Sequence, residues 1–321
     1  MMRRRSHSDL RPALAFLAPN FVGFLVFFAG PVLFSLVVSF SNWNLMGTIP
    51  FQWIGFENYR SLWHEQRFWL YFLNTIYLML GMPVGIIGSL FLAVLLSRRV
   101  RGIVAYRTLF YLPFVTSGVA LFILWKALLN PDFGLVNAVI EWALRTVGLG
   151  HVGAPAWLTS TRNLLGLQVE QVGLSWGEWG LGARDALIMM GIWIGIGGNN
   201  MLLYIAALSN IPQELYEASQ IDGAGAWAQF RHVTWPQLAP TTFFIVVMSF
   251  IGGLQGGFEQ ARVMTEGGPA GTTVTLSFYI YVKAFADFQI GYASAVSWVL
   301  FAFVFVATLV VWRYGSHQVN Y

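Results

Sequence analysis

Six long, largely apolar stretches dominate this chain: Ala13 to Phe40, Phe68 to Leu96, Thr108 to Leu128, Ala186 to Leu208, Thr241 to Met264 and Gly291 to Trp312. A helix of about 20 apolar residues crosses the hydrocarbon of a bilayer. Only 10% of the 321 residues are charged and 57% are hydrophobic, with a mean hydropathy of +0.62. A soluble domain carries about 25% charged residues. The pattern therefore predicts an all-α integral membrane protein of six transmembrane helices, with lipid as its solvent. The first stretch follows the basic start MMRRRSHSDLRP. It is far longer than the roughly 7–15 residues of a cleavable signal core, which points to an uncleaved first span.

Basic residues set the orientation. Arg3, Arg4, Arg5 and Arg11 precede the first span; Arg98, Arg99, Arg101 and Arg107 fill the loop after the second; Arg231 follows the fourth and Arg313 the last. By the positive-inside rule these segments share the cytosolic side. The opposite side receives Gln52 to Arg67, Asn130 to Asp185 and Glu266 to Gln289, where Arg60, Arg67, Arg145, Arg162, Arg184 and Lys283 are mixed with acids. Both termini are then cytosolic, with a segment over 1–12, a transmembrane domain over 13–313 and a tail over 314–321. The net charge of +4 and pI near 9.4 arise from these flanking arginines and imply no nucleic-acid partner. Trp43, Trp63, Trp69 and Trp125, near span ends, read as interfacial anchors. Proline and glycine inside spans, at Pro19, Pro31, Pro83, Pro113 and Gly195-Ile-Gly197-Gly198, are tolerated where neighbouring helices restore backbone bonds.

Between the fourth and fifth spans, the segment from Asn210 to Pro240 reads as a short cytosolic helix. Pro212 suits a first turn, Glu214 and Glu217 favour the positive end of the dipole, and Gly223 after Asp222 offers a C-terminal stop. Leu215, Ala218 and Ile221 share one apolar face that the helix cannot bury alone. Pro236 and Pro240 bracket re-entry into the membrane.

This loop resembles that of the inner-membrane components of binding-protein-dependent ABC importers. Their shared pattern, Glu-Ala-Ala, three residues, Gly and a distal Pro, is matched by Glu217-Ala218-Ser219, Asp222-Gly223-Ala224 and Pro236, with Ser in the third position. The resemblance narrows to the first permease of maltose-like and glycerol-phosphate-like systems. It is carried by Pro31 with Ser39-Phe40-Ser41-Asn42-Trp43, Gly55-Phe56-Glu57-Asn58-Tyr59, Asn74-Thr75 and Tyr111-Leu112-Pro113. Further matches are Asn130-Pro131 with Gly134-Leu135-Val136-Asn137, Thr265-Glu266-Gly267-Gly268-Pro269 and Gly291-Tyr292-Ala293-Ser294-Ala295. It implies that the 210–238 loop carries a coupling helix, with Glu217, Ala218, Ser219, Asp222, Gly223, Ala224 and Pro236 meeting a cytosolic ATPase. The partners implied are a second permease subunit in a heterodimer, an ABC ATPase dimer that uses ATP and Mg, and an extracytoplasmic sugar-binding protein. The location implied is a bacterial plasma (inner) membrane. Within the external loop 130–185, residues 159–182 form an apparent insertion. Its plain reading is a tolerated surface loop; its sharper one is extra contact with the binding protein.

The sequence contains no phosphate-binding GxxxxGK[ST], and its lysines are Lys126 and Lys283 alone, so ATP requires another chain and this one is expected to bind no cofactor. Gly173-Leu-Ser175-Trp-Gly177 matches GxSxG formally, but that motif needs a strand, turn and helix with acid and histidine partners. His7, His64, His151, His232 and His317 are dispersed, without the spacing of a helical zinc site. No catalytic or metal centre is expected.

The substrate path is expected at polar groups inside the spans, which avoid lipid by facing a cavity or another helix. Candidates are Asn199 and Asn200 in the fourth span, and Gln255, Gly257 and Glu259 in the Gly252-Gly-Leu-Gln255-Gly-Gly-Phe258-Glu259 stretch of the fifth. Amides and carboxylates there can bond hydroxyls; helix packing, or neutralisation of Glu259 by Arg262, is the alternative. The sequence lacks any cluster of intramembrane Arg or Lys, which favours a neutral sugar over an anion such as glycerol phosphate. A polytopic enzyme would need clustered acid, base or metal groups, and a channel or secondary carrier would favour ionisable residues deep in several spans.

Overall fold

The computed structural model describes residues 10–98, 101–116, 118–149, 153–170, 173–176 and 179–315. The expected cytosolic start before residue 10 and the tail after 315 lie outside the described residues, as do Arg99, His151, Gln171, Gly177, Glu178 and His317. Five helical segments are long and apolar enough to cross a membrane: Leu14–Val38, Gln66–Leu96, Ala183–Ser209, Ala226–Gln255 and Ile290–Arg313. Ile103–Val115 with Gly118–Leu128, bent by 94°, supplies a sixth when the pair is counted as one span.

In chain order, α1 (Leu10–Phe24) and α2 (Gly30–Val38) are joined by a π-helical turn, Leu25–Ala29; α3 covers Glu57–His64. Then follow α4 (Gln66–Leu78), α5 (Gly81–Leu96), α6 (Ile103–Val115), α7 (Gly118–Leu128) and α8 (Leu135–Thr146). A hairpin of β1 (Leu167–Glu170) and β2 (Gly173–Trp176) precedes α9 (Ala183–Ile196), α10 (Asn199–Ser209) and α11 (Gln213–Ile221). The chain continues with α12 (Ala226–Gln229), α13 (Trp235–Gln255), α14 (Phe258–Met264), α15 (Leu276–Tyr281) and α16 (Ile290–Gly315).

Several of these spans are interrupted where the sequence reading drew continuous rods. The third, expected as Thr108 to Leu128, begins at Ile103 and breaks at Thr116, whose backbone is extended (φ −65°, ψ 142°). Pro113 lies just upstream inside α6 and cannot donate to the preceding turn. The fifth, expected as Thr241 to Met264, runs from Ala226 to Gln255 and stops at Gly257, whose φ of +86° is left-handed. The second half of the expected 210–238 loop is therefore helical and continuous with the span. Pro236 and Pro240 do not bracket re-entry; they lie within the helix. A π turn at Phe230–Thr234 contains the carbonyl of His232, four residues before Pro236, and the π turn at Leu25–Ala29 likewise contains Phe27, four before Pro31. The wider turn removes the clash between a proline ring and the i−4 carbonyl.

The all-helical class holds throughout the membrane part, with one addition outside it. Residues 159–182, read as a loop, contain the antiparallel β1–β2 hairpin, in register Leu167↔Trp176 and Glu170↔Gly173. Leu167-Gln-Val169-Glu alternates apolar and polar residues, the period of a strand rather than a helix.

The chain divides into two compact units, residues 1–64 with 280–299, and residues 65–279 with 300–321. In the first, Asn58 is buried and donates from Nδ2 to the carbonyls of Ser39 and Ser41, both at 2.8 Å. The Gly291 N–H donates to the Trp43 carbonyl at 3.0 Å, and the Trp298 indole N–H reaches Ser35 Oγ at 3.1 Å. Motif residues far apart in sequence thus meet around one polar joint. Asn58→Ala leaves two buried carbonyls without donors, at a cost of about 1–3 kcal/mol. A lowered unfolding temperature of the detergent-purified protein, with Asn58→Asp no better, is the expected outcome.

In the second unit, α5 packs against α9, α10 and α13. Leu90, Ala93 and Leu96 meet Met201, Tyr204, Leu238 and Ile245, all buried. A Cβ on Gly88 would lie 2.6 Å from Ile196 Cγ1, so glycine sets the close approach of α5 to α9. Trp125, expected at the interface, is instead buried among Leu121, Leu187 and Met190 and meets Trp193 edge-on at 5.6 Å. Its partner Trp193 lies more than 60 residues away, which span-end position alone does not disclose.

Candidate functional site

Three helical faces converge on a cavity of about 270 Å³ within the second unit. One runs along α4 and α5 through Thr75, Met79, Met82 and Ile86; another along α9 through Ile188, Gly191, Ile192 and Gly195; the third along α13 through Ser249, Gly252, Gly253 and Gly256. Each follows the i, i+3, i+4, i+7 spacing of one side of a helix. Thr75, Asn200, Ser249, Gln260 and Thr275 supply the polar groups, and among the described residues no lining side chain is ionisable or aromatic.

Of the residues expected to form the path, Asn200 and Gly257 line this cavity. Asn199, Gln255 and Glu259 are exposed and are not among its lining residues. The Glu259 carboxylate instead lies against the start of α7, with Oε2 3.2 Å from where a Cβ on Gly118 would sit. The Arg262 guanidinium lies 5.8 Å from the centre of the Phe258 ring. Thr75, Ser249, Gln260 and Thr275 were not anticipated. Thr75 had a signal in the sequence as part of the Asn74-Thr75 match, and Gln260 as a polar residue beside Glu259.

One end of the cavity is held by buried side chains. Asn74 Nδ2 donates to the carbonyls of Gly271 (2.8 Å) and Val274 (3.0 Å), and Thr75 Oγ1 accepts the Leu276 N–H at 3.0 Å. Arg184, counted among loop charges in the sequence reading, is 3% exposed in the first turn of α9. It donates from Nε to the Thr272 carbonyl (2.9 Å) and from Nη1 to the Leu167 carbonyl (3.1 Å). Asp185 accepts the Tyr77 hydroxyl at 2.8 Å and the N–H groups of Leu164 and Gly182, each at 3.2 Å. The turn after α14 and the base of the hairpin are thus tied to α4 and α9.

Between the fourth and fifth spans, α11 covers nine residues with Pro212 as N-cap. Its end is a Schellman stop: the Ala224 N–H donates to the Ser219 carbonyl (2.9 Å) and the Gly223 N–H to the Gln220 carbonyl (3.0 Å), with Gly223 at φ +78°. The Tyr216 hydroxyl and Thr234 Oγ1 are 3.0 Å apart, which ties α11 to the π turn before α13. Leu215, Glu217, Ala218, Ile221 and Asp222 are exposed, Ile221 at 87%; Pro236 lies in the first turn of α13. Ser175 of the GxSxG match sits in β2 opposite Gln168, not on a strand-to-helix turn.

Interrupted spans thus surround an uncharged polar cavity, and a short amphipathic helix lies between the fourth and fifth. The chain belongs to the family of binding-protein-dependent transport system inner membrane components, whose model matches residues 71–314. It is 34% identical to the lactose transport system permease protein LacF of Rhizobium radiobacter, over 91% of this chain and 89% of that protein. It is 30% identical to the sn-glycerol-3-phosphate transport system permease protein UgpA of Salmonella typhi, over 95% of this chain and 94% of that protein. Its fold is similar to a chain of a bacterial alginate ABC transporter crystallised with an alginate pentasaccharide-bound periplasmic protein. That match has a TM-score of 0.74 and 25% identity over 98% of this chain and 97% of that one.

Proposed function

We propose that this chain translocates an uncharged carbohydrate through the cavity around Asn200, Ser249 and Gln260, delivered by an extracytoplasmic binding protein. A second permease subunit forms the other wall, and two ATPase domains, which bind the ATP and Mg, grip α11 from the cytosol. Both termini then lie in the cytosol of a bacterial cell. The reading is carried by one observation: α11 ends in a Schellman stop, yet its apolar residues Leu215, Ala218 and Ile221 are exposed. A rigid helix with an uncovered apolar face is built to be gripped. ATP-driven closure of the motor then moves α11 as a lever, and the spans alternate between two discrete arrangements that open the cavity to one side at a time.

The lining favours sugar over a phosphorylated polyol such as the glycerol phosphate in the name of UgpA. Hydroxyls are met by amides and hydroxyls, whereas a phosphate would find no cation on this wall. Two measurements test the proposal. Ala218→Cys in membranes containing the whole transporter should cross-link to a nucleotide hydrolase, and failure to capture one removes the lever. Reconstituted complex with its binding protein should take up a neutral sugar in preference to glycerol phosphate. The reverse preference refutes the cargo assignment.

A further inference from the structure

The glycines lining the cavity differ in what an added side chain would meet. On Gly81 a Cβ would lie 2.8 Å from Ile188 Cγ2, on Gly253 it would lie 3.0 Å from Met79 Cγ, and on Gly257 it would lie 2.5 Å from Thr275 Cγ2. These three are demanded by neighbouring side chains. On Gly85, Gly191 and Gly252 an added Cβ would meet nothing within 4 Å, but Gly85 is buried whereas Gly191 and Gly252 are exposed. Neither of these two exposed glycines has a positive φ, and both sit inside regular helix, in α9 and α13. Backbone conformation and packing therefore both permit a side chain at these two positions, and a glycine in a helix interior is about 1 kcal/mol less favourable than alanine. What a side chain there would change is the free volume of the cavity.

We propose that Gly191 and Gly252 set the bore of the cavity, and so the largest uncharged, hydroxyl-bearing cargo that can occupy it. The rest of the wall fits that task. Asn200, Ser249 and Gln260 offer an amide, a hydroxyl and an amide with no hydrogen-bond partner among the described residues. The remaining surface is backbone, isoleucine, leucine, methionine and two threonines, with no ring on which one sugar face would be selected. Such a wall discriminates by size more than by stereochemistry. This inference deepens the carbohydrate reading and rests on it for the cargo, but not for the bore.

The chain contains no cysteine, so Ser249→Cys gives a single thiol in the cavity wall. In the purified complex, that thiol is reacted with methyl methanethiosulfonate and with a glucose-bearing methanethiosulfonate, and the mass of this chain is read. Adding Gly252→Leu or Gly191→Leu should slow the glucose-bearing reagent by about tenfold or more while leaving the methyl reagent unchanged. Gly252→Ala should fall between. Unchanged rates for both reagents overturn the proposal, since the glycines then do not set the room. Equal slowing of both overturns it too, because the wall has then collapsed rather than narrowed. Loss of the second permease on co-purification also overturns it, by showing that these glycines serve a subunit contact. In uptake, the leucine variants should retain a monosaccharide and lose longer neutral oligomers of the same sugar. If the parent complex moves no sugar at all, the cargo reading fails while the thiol rates still decide the bore.

Discussion

Glu217→Lys combined with Gly223→Pro should abolish ATP-driven uptake while the chain still inserts in the membrane and holds its binding protein. The Gly223 N–H makes one of the two bonds of the Schellman stop, and its φ of +78° lies far from the roughly −65° that a proline ring enforces. Proline removes that bond and turns the chain leaving α11 in a new direction. The tie between Tyr216 and Thr234 then no longer fixes the helix against α13. Charge reversal at exposed Glu217, the middle residue of α11, inverts the charge on the surface this helix offers. Neither position contributes to the buried core of the spans, so expression and detergent stability should change little. ATP hydrolysis by the complex should persist but become independent of cargo-loaded binding protein, which separates lost coupling from lost motor. Gly223→Ala, which keeps the N–H but strains the φ, should retain partial uptake. Full uptake in the double variant would remove α11 as the point of force entry.

How much of this was legible beforehand depends on which property carried the signal. Five of the six expected spans follow from apolar content, the sixth only when the bent pair Ile103–Val115 and Gly118–Leu128 counts as one, and the end of α11 follows from a glycine placed after a short amphipathic run. Breaks inside spans leave hydropathy unchanged, since Thr116, Gly197–Gly198 and Gly256–Gly257 are as tolerable to lipid as their neighbours. They show only as backbone angles. That explains the mixed outcome at the cavity. Consecutive residues on a helix point about 100° apart, and of the pairs Asn199–Asn200 and Glu259–Gln260 only the second member lies among the lining residues. Centred on Ser249, the 3.6-residue period returns Gly252, Gly253 and Gly256, and leaves Gln255 off the face. Arg184 and Asp185 fall in the expected external loop, just before the expected start of the fourth span at Ala186, yet they lie buried in the first turn of α9. Their burial is made tolerable by carbonyls, amides and a tyrosine hydroxyl supplied from sequence positions as far apart as 77 and 272.

Arg184→Met should be the most destabilising single substitution at the closed end of the cavity. The guanidinium donates to two backbone carbonyls, Thr272 in the turn after α14 and Leu167 at the start of the hairpin, from a side chain 3% exposed. Methionine fills much of the volume but donates nothing. Two buried acceptors are stranded, and hydrogen bonds made by a charged group contribute about 1.5–3 kcal/mol each. A net loss of about 3 kcal/mol follows, less than the sum because the freed carbonyls can recruit water. The loss should be local before it is global. Asn74 and Thr75 still hold Gly271, Val274 and Leu276, so the turn loosens from its Thr272 side and the hairpin from Leu167. Hydrogen exchange should therefore accelerate in residues 163–170 and 270–274 with α5 and α10 unchanged, alongside a fall in unfolding temperature. Arg184→Lys should recover less than half, because one ammonium cannot span the two carbonyls that the planar fork reaches together. Uniform acceleration across α5 and α10 would instead mean that Arg184 supports the whole bundle rather than a fixed end on which the cavity closes.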